Sequence, residues 1–438
     1  MRTIRRPSAT ADAASSGSPR IVGDGLRASA AGPTASGLRT AAPARLPGAD
    51  AVRVLAAFLV VVIHADHWPY QPSGVDRLVW TGLDLLARVS VPLFVVLSGV
   101  LLAYRSRETE SRSDLLMRRL RRSLVPWLFW APIYCLIGIF LTGEIAHSAT
   151  AVADWWASGG GHLYFLLLIP QLYLVFLIWP RRPSAAWMAV LPAVLIQTGL
   201  DVYRLAMPSG APFESLLLNE GFLFFPFWIG YFALGVAVGT WLRNRDPGRN
   251  LPAALPFVGL TVIGAVLLVS VDGASAANAA FAEGTGAFLR PSLLVLTVGV
   301  FGSVGLAAER WLRPRPRWTA RIAVLSRCSL GVYILHEALL YIPARAVQAP
   351  LLEQPLPLSA VGFLIVLVAT LALALALTRL LAATPLAVTI GMAREPLALP
   401  RRATLRSAMG PPAGQPVTRG DGIHAAHGPG PDQGPDLP

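Results

Sequence analysis

RVLAAFLVVVIH, residues 53–64, is a continuous apolar run that has an arginine at its start and a histidine at its end. An arginine at the centre of a membrane helix costs about 2.5–3.5 kcal/mol on insertion scales, so polar residues kept in such a segment need a reason. At 100° per residue, Arg53 and His64 are three turns and about 20° apart, which puts both on one helix face about 16 Å from each other. The stretch therefore predicts a membrane helix with one polar face.

Similar apolar runs recur along the whole chain. Of its 438 residues, 54% are hydrophobic and only 14% are charged. A helix needs about 20 apolar residues to cross a bilayer, and segments of this length are repeated. We predict an all-α, polytopic integral membrane protein with about ten transmembrane helices. The predicted spans are 49–68, 82–104, 123–142, 162–179, 184–200, 221–242, 252–271, 287–307, 320–344 and 359–382.

The two ends of the chain differ from this middle part. Residues 1–48 are rich in Ala, Ser, Gly, Pro and Arg, which predicts a disordered cytoplasmic tail, with an organellar transit peptide as the alternative. Residues 383–438 are predicted to be a low-complexity cytoplasmic tail. Residues 49–382 are expected to form the transmembrane domain.

The basic residues are distributed unevenly over the connecting segments. All 37 of them are arginine, which excludes lysine Schiff-base chemistry and a P-loop lysine. The segments after the odd-numbered spans hold only Arg77, Arg204 and Arg345. The segments after the even-numbered spans hold many more arginines. By the positive-inside rule, these segments are cytoplasmic, as are both termini. The net charge of +13 thus reflects topology, and nucleic-acid binding is not expected. The cytoplasmic set contains Arg105, Arg107, Arg112, Arg118, Arg119, Arg121, Arg122, Arg181, Arg182, Arg243, Arg245, Arg249, Arg310, Arg313, Arg315, Arg317 and Arg321.

Five motifs follow one another in the membrane part. They are Arg53 with His64, RVSVPLFVVLSGVLL (88–102), RRLRRSLVPWLFWAPIY (118–134), GHLYFLLLIPQLYLV (161–175) and SRCSLGVYILH (326–336). Their order and spacing resemble the acyltransferase-3 family of integral-membrane acyltransferases. The resemblance implies transfer of an acyl group, usually acetyl from acetyl-CoA, to a hydroxyl of a sugar or glycan. Some relatives carry an additional hydrolase-like domain. The residues after the last predicted span are too few for such a domain. We therefore expect the membrane domain or a separate partner to bind the acceptor and complete the transfer.

His64 and Arg53 are the expected catalytic residues. Histidine changes its protonation near neutral pH and can take a proton from a hydroxyl, so we expect His64 to act as a general base, with Asp66 or His67 as a candidate to orient it. Arg53 is expected to help position CoA. Ser98 and Gly99 lack the surroundings of a serine nucleophile and are predicted to be a close-packing pair.

The remaining site predictions concern donor and acceptor. The basic loop is expected to bind the phosphates of acetyl-CoA or another short acyl-CoA, through Arg118 with Arg121 or Arg119 with Arg122. Arg88 is predicted either to contact substrate or to pair with Asp84, four residues earlier. His162 and His336 are expected to contact the acceptor. The residues predicted to bind the donor or the acceptor are thus Arg118, Arg119, Arg121, Arg122, Arg88, His162 and His336.

The partners and location complete these expectations. We expect no tightly bound cofactor and no metal, since Cys135 and Cys328 lie far apart in apolar segments. The partners are acyl-CoA, a glycan or lipid-linked sugar acceptor, and membrane lipids; the oligomeric state is left open. An arginine-only, alanine-rich composition is typical of bacteria with GC-rich coding, which predicts a location in the cytoplasmic membrane. An exporter of polysaccharide or small molecules is the competing interpretation.

Overall fold

The computed structural model describes residues 45–65, 74–106, 111–143, 145–180, 182–207, 210, 216–217, 220–243, 252–271, 289–351 and 360–394. Helices dominate these residues, and no β-strand occurs among them. The α-helices are α1 Pro47–Ile63, α2 Gly74–Ala87, α3 Ser90–Arg105, α4 Arg112–Ile137, α5 Ala149–Ala157, α6 Phe165–Ile178, α7 Pro183–Met188, α8 Val190–Ala206, α9 Ile229–Arg243, α10 Leu255–Ser270, α11 Pro291–Leu312, α12 Pro316–Leu351 and α13 Ala360–Ala382. A π-helical segment (Gly138–Thr142) and 3₁₀ turns (Gly161–Tyr164, Gly221–Leu223, Phe225–Trp228, Pro385–Ile390) lie between or after them.

Within the described part, eight helical stretches are long and apolar enough to cross a membrane. They correspond to the predicted spans other than the first and seventh. Those two spans are α1, with 17 residues, and α10, with 16, which are somewhat shorter than the roughly 20 residues of a full crossing. The prediction of an all-α polytopic membrane protein is confirmed. The eight stretches are Gly82–Arg105, Ser113–Leu141, Gly161–Ile178, Pro183–Ala206, Phe225–Arg243, Pro291–Leu312, Pro316–Ala344 and Ala360–Ala382.

Helix α1 lies among several other helices. It packs against α2, α3, α11, α12 and α13, and Leu59 and Val61 are fully buried. The guanidinium group of Arg53 lies 3.4 Å from the hydroxyl of Ser326 on α12, and His64 Nδ1 lies 3.2 Å from Glu337 Oε2 on the same helix. Eleven residues along α1 thus match eleven residues along α12, so the two helices run parallel and in register.

Small residues allow α3 and α9 to approach closely. A Cβ atom on Gly99 would lie 2.6 Å from the carbonyl oxygen of Phe232, and one on Gly235 would lie 2.2 Å from that of Val96. Since lipid tails are as apolar as leucine, helices in a membrane gain stability mainly from close packing of this kind. Gly99 therefore has the close-packing role that the sequence predicted.

The fold continues after α13. The 3₁₀ turn Pro385–Ile390 packs on α4, where the indole Nε1 of Trp130 donates a hydrogen bond to the carbonyl oxygen of Thr389 at 3.0 Å. Residues 383–394 of the predicted C-terminal tail are thus part of the folded unit. The rest of that tail and residues 1–44 of the N-terminal tail lie outside the described residues.

Candidate active site

Three histidines from different elements meet near one end of α1. His64 directly follows α1, His162 belongs to the turn before α6, and His336 belongs to α12. The ring centroids are 5.0 Å apart for His64 and His336, 5.4 Å for His162 and His336, and 6.3 Å for His64 and His162. The structure thus brings together the three histidines that the sequence selected separately.

His64 is held at the helix end beside a carboxylate. Its backbone has φ −94° and ψ 0°, a sparsely populated region in which active-site residues often occur, and its amide still bonds to the carbonyl oxygen of Val60. The imidazole Nδ1 lies 3.2 Å from Glu337 Oε2. About a third of the His64 side chain is exposed, whereas the Glu337 side chain is 18% exposed. The Nδ1 side of the His64 ring is thus fixed by the carboxylate.

His336 is fully buried and has a fixed orientation. Its Nδ1 lies 2.6 Å from the carbonyl oxygen of Tyr333, one turn earlier in α12. A carbonyl can only accept a hydrogen bond, so Nδ1 carries the proton and donates. The other nitrogen, Nε2, faces Glu337 Oε2 at 3.8 Å. The carboxylate of Glu337 therefore lies between two imidazole rings.

His162 is placed by a tight glycine turn. Gly159, Gly160 and Gly161 have φ values of 85°, 81° and 62°, a region that side chains with a Cβ rarely adopt. The indole of Trp127 on α4 donates a hydrogen bond to the carbonyl oxygen of Gly159 at 2.9 Å. The hydroxyl of Tyr333 donates a hydrogen bond to the backbone carbonyl of His162.

A small cavity opens beside these rings. It has a volume of about 80 Å³, and its walls include His162 and Glu337 together with the aromatic side chains of Tyr134, Trp155 and Tyr341. Aromatic faces next to a few polar groups are typical of sites for small molecules. The cavity is large enough for only one end of a substrate.

The donor atoms of His64, His336 and Glu337 could in principle also hold a metal ion, since they all lie within 4.8 Å of one another. Zinc ligands at 2.0–2.1 Å in a tetrahedron are only about 3.3 Å apart, so His336, with Nε2 3.8 Å from Glu337, would have to move closer to bind one. The observed spacing of His64 and Glu337 is that of a hydrogen-bonded pair.

The other end of α1 carries a charged cluster. Arg53 contacts the hydroxyl of Ser326, which donates a hydrogen bond to Asp50 Oδ1 at 2.7 Å. Arg45 binds the second oxygen of Asp50 at 2.6 Å. Arg53 also interacts electrostatically with Arg105. The polar face predicted from the spacing of Arg53 and His64 thus has a distinct environment at each end.

The arginines of the predicted basic loop lie on helix α4 instead, because α4 begins at Arg112. Arg119 lies within electrostatic range of Arg53 and Arg105, and Arg122 within range of Arg105. Arg119 is half-buried, whereas Arg118, Arg121 and Arg122 are exposed. Arg119 therefore lies beside the cluster around Arg53, and Arg122 interacts with Arg105 in that cluster from an exposed position.

Arg88 lies between α2 and α3, where the helix is interrupted. It is buried and binds Asp84 Oδ2 with NH2 at 2.9 Å and with Nε at 3.2 Å. The pairing predicted from their spacing is confirmed; a role of Arg88 in substrate binding stays a prediction.

The sequence did not identify three contacts of this region. Glu337 is not among the partners that the sequence analysis considered for His64; the candidates for that role, Asp66 and His67, lie outside the described residues. Ser326 and Tyr134 were not selected either. An acidic residue within an apolar span is a signal that could have pointed to Glu337.

These helices and residues define an integral-membrane protein with a histidine–carboxylate site inside its helix bundle. The sequence model of the acyltransferase-3 family, described as an acyltransferase domain, matches residues 46–379. The chain belongs to this family. No curated protein matches the sequence.

Proposed function

We propose that the protein is a membrane O-acyltransferase that moves an acyl group, most readily acetyl, from acyl-CoA to a hydroxyl of a sugar, cell-surface polysaccharide or lipid-linked glycan. Family membership supports acyl transfer in general. The observation that carries the proposal is the contact of His64 Nδ1 with Glu337 at 3.2 Å, at one end of a helix whose other end lies in an arginine cluster.

In this proposal His64 is the general base. With a proton on Nδ1 directed at Glu337, the neutral ring has its lone pair on Nε2. Nε2 takes the proton of the acceptor hydroxyl while the oxygen attacks the thioester carbonyl carbon. The carbon–sulfur bond then breaks, and the CoA sulfur leaves with the proton returned by His64. The carboxylate stabilises the imidazolium that forms in between, as in other histidine–carboxylate pairs.

The arginines at the other end of α1 are the proposed donor site. CoA carries several phosphate groups, and guanidinium groups bind phosphate with two parallel hydrogen bonds. Arg119 and Arg122 are the proposed phosphate ligands on α4, because Arg119 interacts electrostatically with Arg53 and Arg105, and Arg122 with Arg105. Arg118 and Arg121, which are exposed as Arg122 is, are assigned a weaker, general attraction.

The cavity beside His162 is the proposed place of the acceptor hydroxyl. Trp155 and Tyr341 offer aromatic faces to the apolar side of a sugar ring, and His162 and Glu337 offer polar edges; His336 lies behind His162, with ring centroids 5.4 Å apart. Arg88 remains a candidate for contacts farther from the reacting group.

The charge alternation supports an orientation with both termini in the cytoplasm. Acyl-CoA would then enter from the cytoplasm at Arg53, and the acceptor would approach from the opposite side. The proposed location is the cytoplasmic membrane of a bacterium, with a role in modifying envelope polysaccharide.

The decisive experiment compares wild type with His64→Ala. Purified protein in lipid nanodiscs is given acetyl-CoA, and released CoA thiol is measured; in parallel, surface glycans of a complemented deletion strain are analysed for acetyl by mass spectrometry. Loss of a general base should reduce transfer by about 100- to 10,000-fold while the protein stays folded. His147→Ala, at an exposed histidine that contacts Phe140, is the matched control and should retain activity.

Three results would contradict the proposal. Normal acetylation of glycans by His64→Ala would exclude His64 as the base. Loss of surface glycan in the deletion strain, with no CoA release by wild-type protein, would support an exporter instead. Loss of activity on addition of EDTA would favour a metal at His64, His336 and Glu337.

A further inference from the structure

The side chain of Tyr134 on α4 binds to α12 at the turn that carries His336 and Glu337. Its hydroxyl donates a hydrogen bond to the carbonyl oxygen of Ile334 at 2.5 Å and accepts one from the amide of Ala338 at 3.2 Å. In a regular helix this carbonyl and this amide are partners, since each amide bonds to the carbonyl four residues earlier. One tyrosine thus contacts both groups of a single rung, and His336 and Glu337 lie between them.

The ring of Tyr134 reaches the other part of the site. It meets the His162 ring edge to face, with centroids 4.6 Å apart and an angle of 78° between the planes. Tyr134 also lies near enough to Glu337 for the two to interact electrostatically, and its side chain is buried. Tyr134 thus contacts both the turn that carries His162 and the turn of α12 that carries His336 and Glu337.

We infer that Tyr134 is a positioning residue that fixes Glu337 and His162 relative to His64; this rests on the proposed function. A side chain inserted beside the backbone ladder of a helix bends or shifts that turn. Without the hydroxyl, the Ile334 carbonyl and the Ala338 amide bond only to each other, and the Glu337 carboxylate moves relative to His64. A misplacement of 1 Å can cost about 100-fold in rate.

The test is Tyr134→Phe, which keeps the ring against His162 and removes only the hydroxyl. We expect kcat for acyl transfer to fall about 10- to 100-fold. The KM for acyl-CoA should stay the same, because the arginine cluster lies three helical turns away. Tyr231→Phe is the matched control, since this buried tyrosine on α9 interacts with Thr297 and Gln197 instead. A normal kcat in Tyr134→Phe, or an equal loss in both variants, would overturn the inference.

A second measurement separates positioning from a general structural role. If Tyr134 acts through Glu337, Tyr134→Phe should cost less than about threefold once Glu337 is already glutamine, because coupled residues are not additive. Fully additive losses would contradict the inference.

A third readout does not depend on activity. Amide hydrogen exchange in the peptide containing residues 334–338 should differ from wild type in Tyr134→Phe, because the rung between Ile334 and Ala338 changes its partners, and should be unchanged in Tyr231→Phe. Unchanged exchange in Tyr134→Phe would refute the inference. If wild-type protein transfers no acyl group, the proposed function fails, and the exchange experiment still decides whether Tyr134 holds this turn.

Discussion

Replacement of Glu337 by glutamine is the most direct test of the histidine–carboxylate pair. The variant keeps the shape of the side chain and removes the negative charge 3.2 Å from His64 Nδ1. As the proposed general base, His64 takes up a proton in the transition state. The carboxylate therefore stabilises the transition state more than the ground state, and its loss should lower kcat.

The size of the effect follows from the kind of contact. A hydrogen bond to a charged group contributes about 1.5–3 kcal/mol. Since about 1.4 kcal/mol corresponds to a factor of ten in rate, Glu337→Gln should lower kcat by about 10- to 150-fold. The KM for acyl-CoA should not change, because its proposed ligands lie at the other end of α1.

The assay is steady-state release of CoA thiol by protein in nanodiscs, with thermal unfolding as the check of folding. Asp114→Asn makes the same chemical change at an exposed position in the first turn of α4 and should behave like wild type. A folded Glu337→Gln variant that keeps more than about a third of the wild-type kcat would refute the pairing, because the contact would then contribute less than the weakest hydrogen bond to a charged group.

Two further predictions concern arginines. Arg119→Ala and Arg122→Ala should each raise the KM for acyl-CoA about tenfold with little change in kcat, whereas Arg118→Ala should change the KM less than about threefold. Equal effects of all three in steady-state kinetics would contradict the assignment of Arg119 and Arg122 as phosphate ligands. Asp84→Asn removes the carboxylate that pairs with the buried Arg88 and should lower the free energy of unfolding by about 3–5 kcal/mol. Adding Arg88→Met should recover much of this loss. An unchanged unfolding transition in Asp84→Asn would contradict a stabilising pair.

The architecture could be predicted from the sequence because a membrane restricts the possibilities. Backbone groups in lipid must be hydrogen-bonded within the protein, so long apolar runs become helices. The helical period was also enough to place Arg53 and His64 on one face. His162 and His336 could be selected individually as polar residues in apolar surroundings, and the structure brings both to His64.

The contacts between helices could not be predicted in this way. His64 meets Glu337 because α1 and α12 pack in register, and nothing in either segment alone specifies this register. Candidates near His64 in sequence, such as Asp66, were therefore preferred. The choice between the two arginine pairs depends on the rotation of α4 about its axis relative to α1, and the role of Tyr134 depends on how close α4 comes to α12.

The matched register of α1 and α12 has a consequence for the depth at which the reaction takes place. Arg53 and His64 are separated by about 16 Å along the axis, about half of the roughly 30 Å of a hydrocarbon core. This separation is set by the rise of two helices packed side by side, so changes in lipid thickness leave it unaltered. In the proposed orientation, neither substrate crosses the bilayer: the thioester of the donor is extended halfway from one side, and a hydroxyl of the acceptor descends halfway from the other.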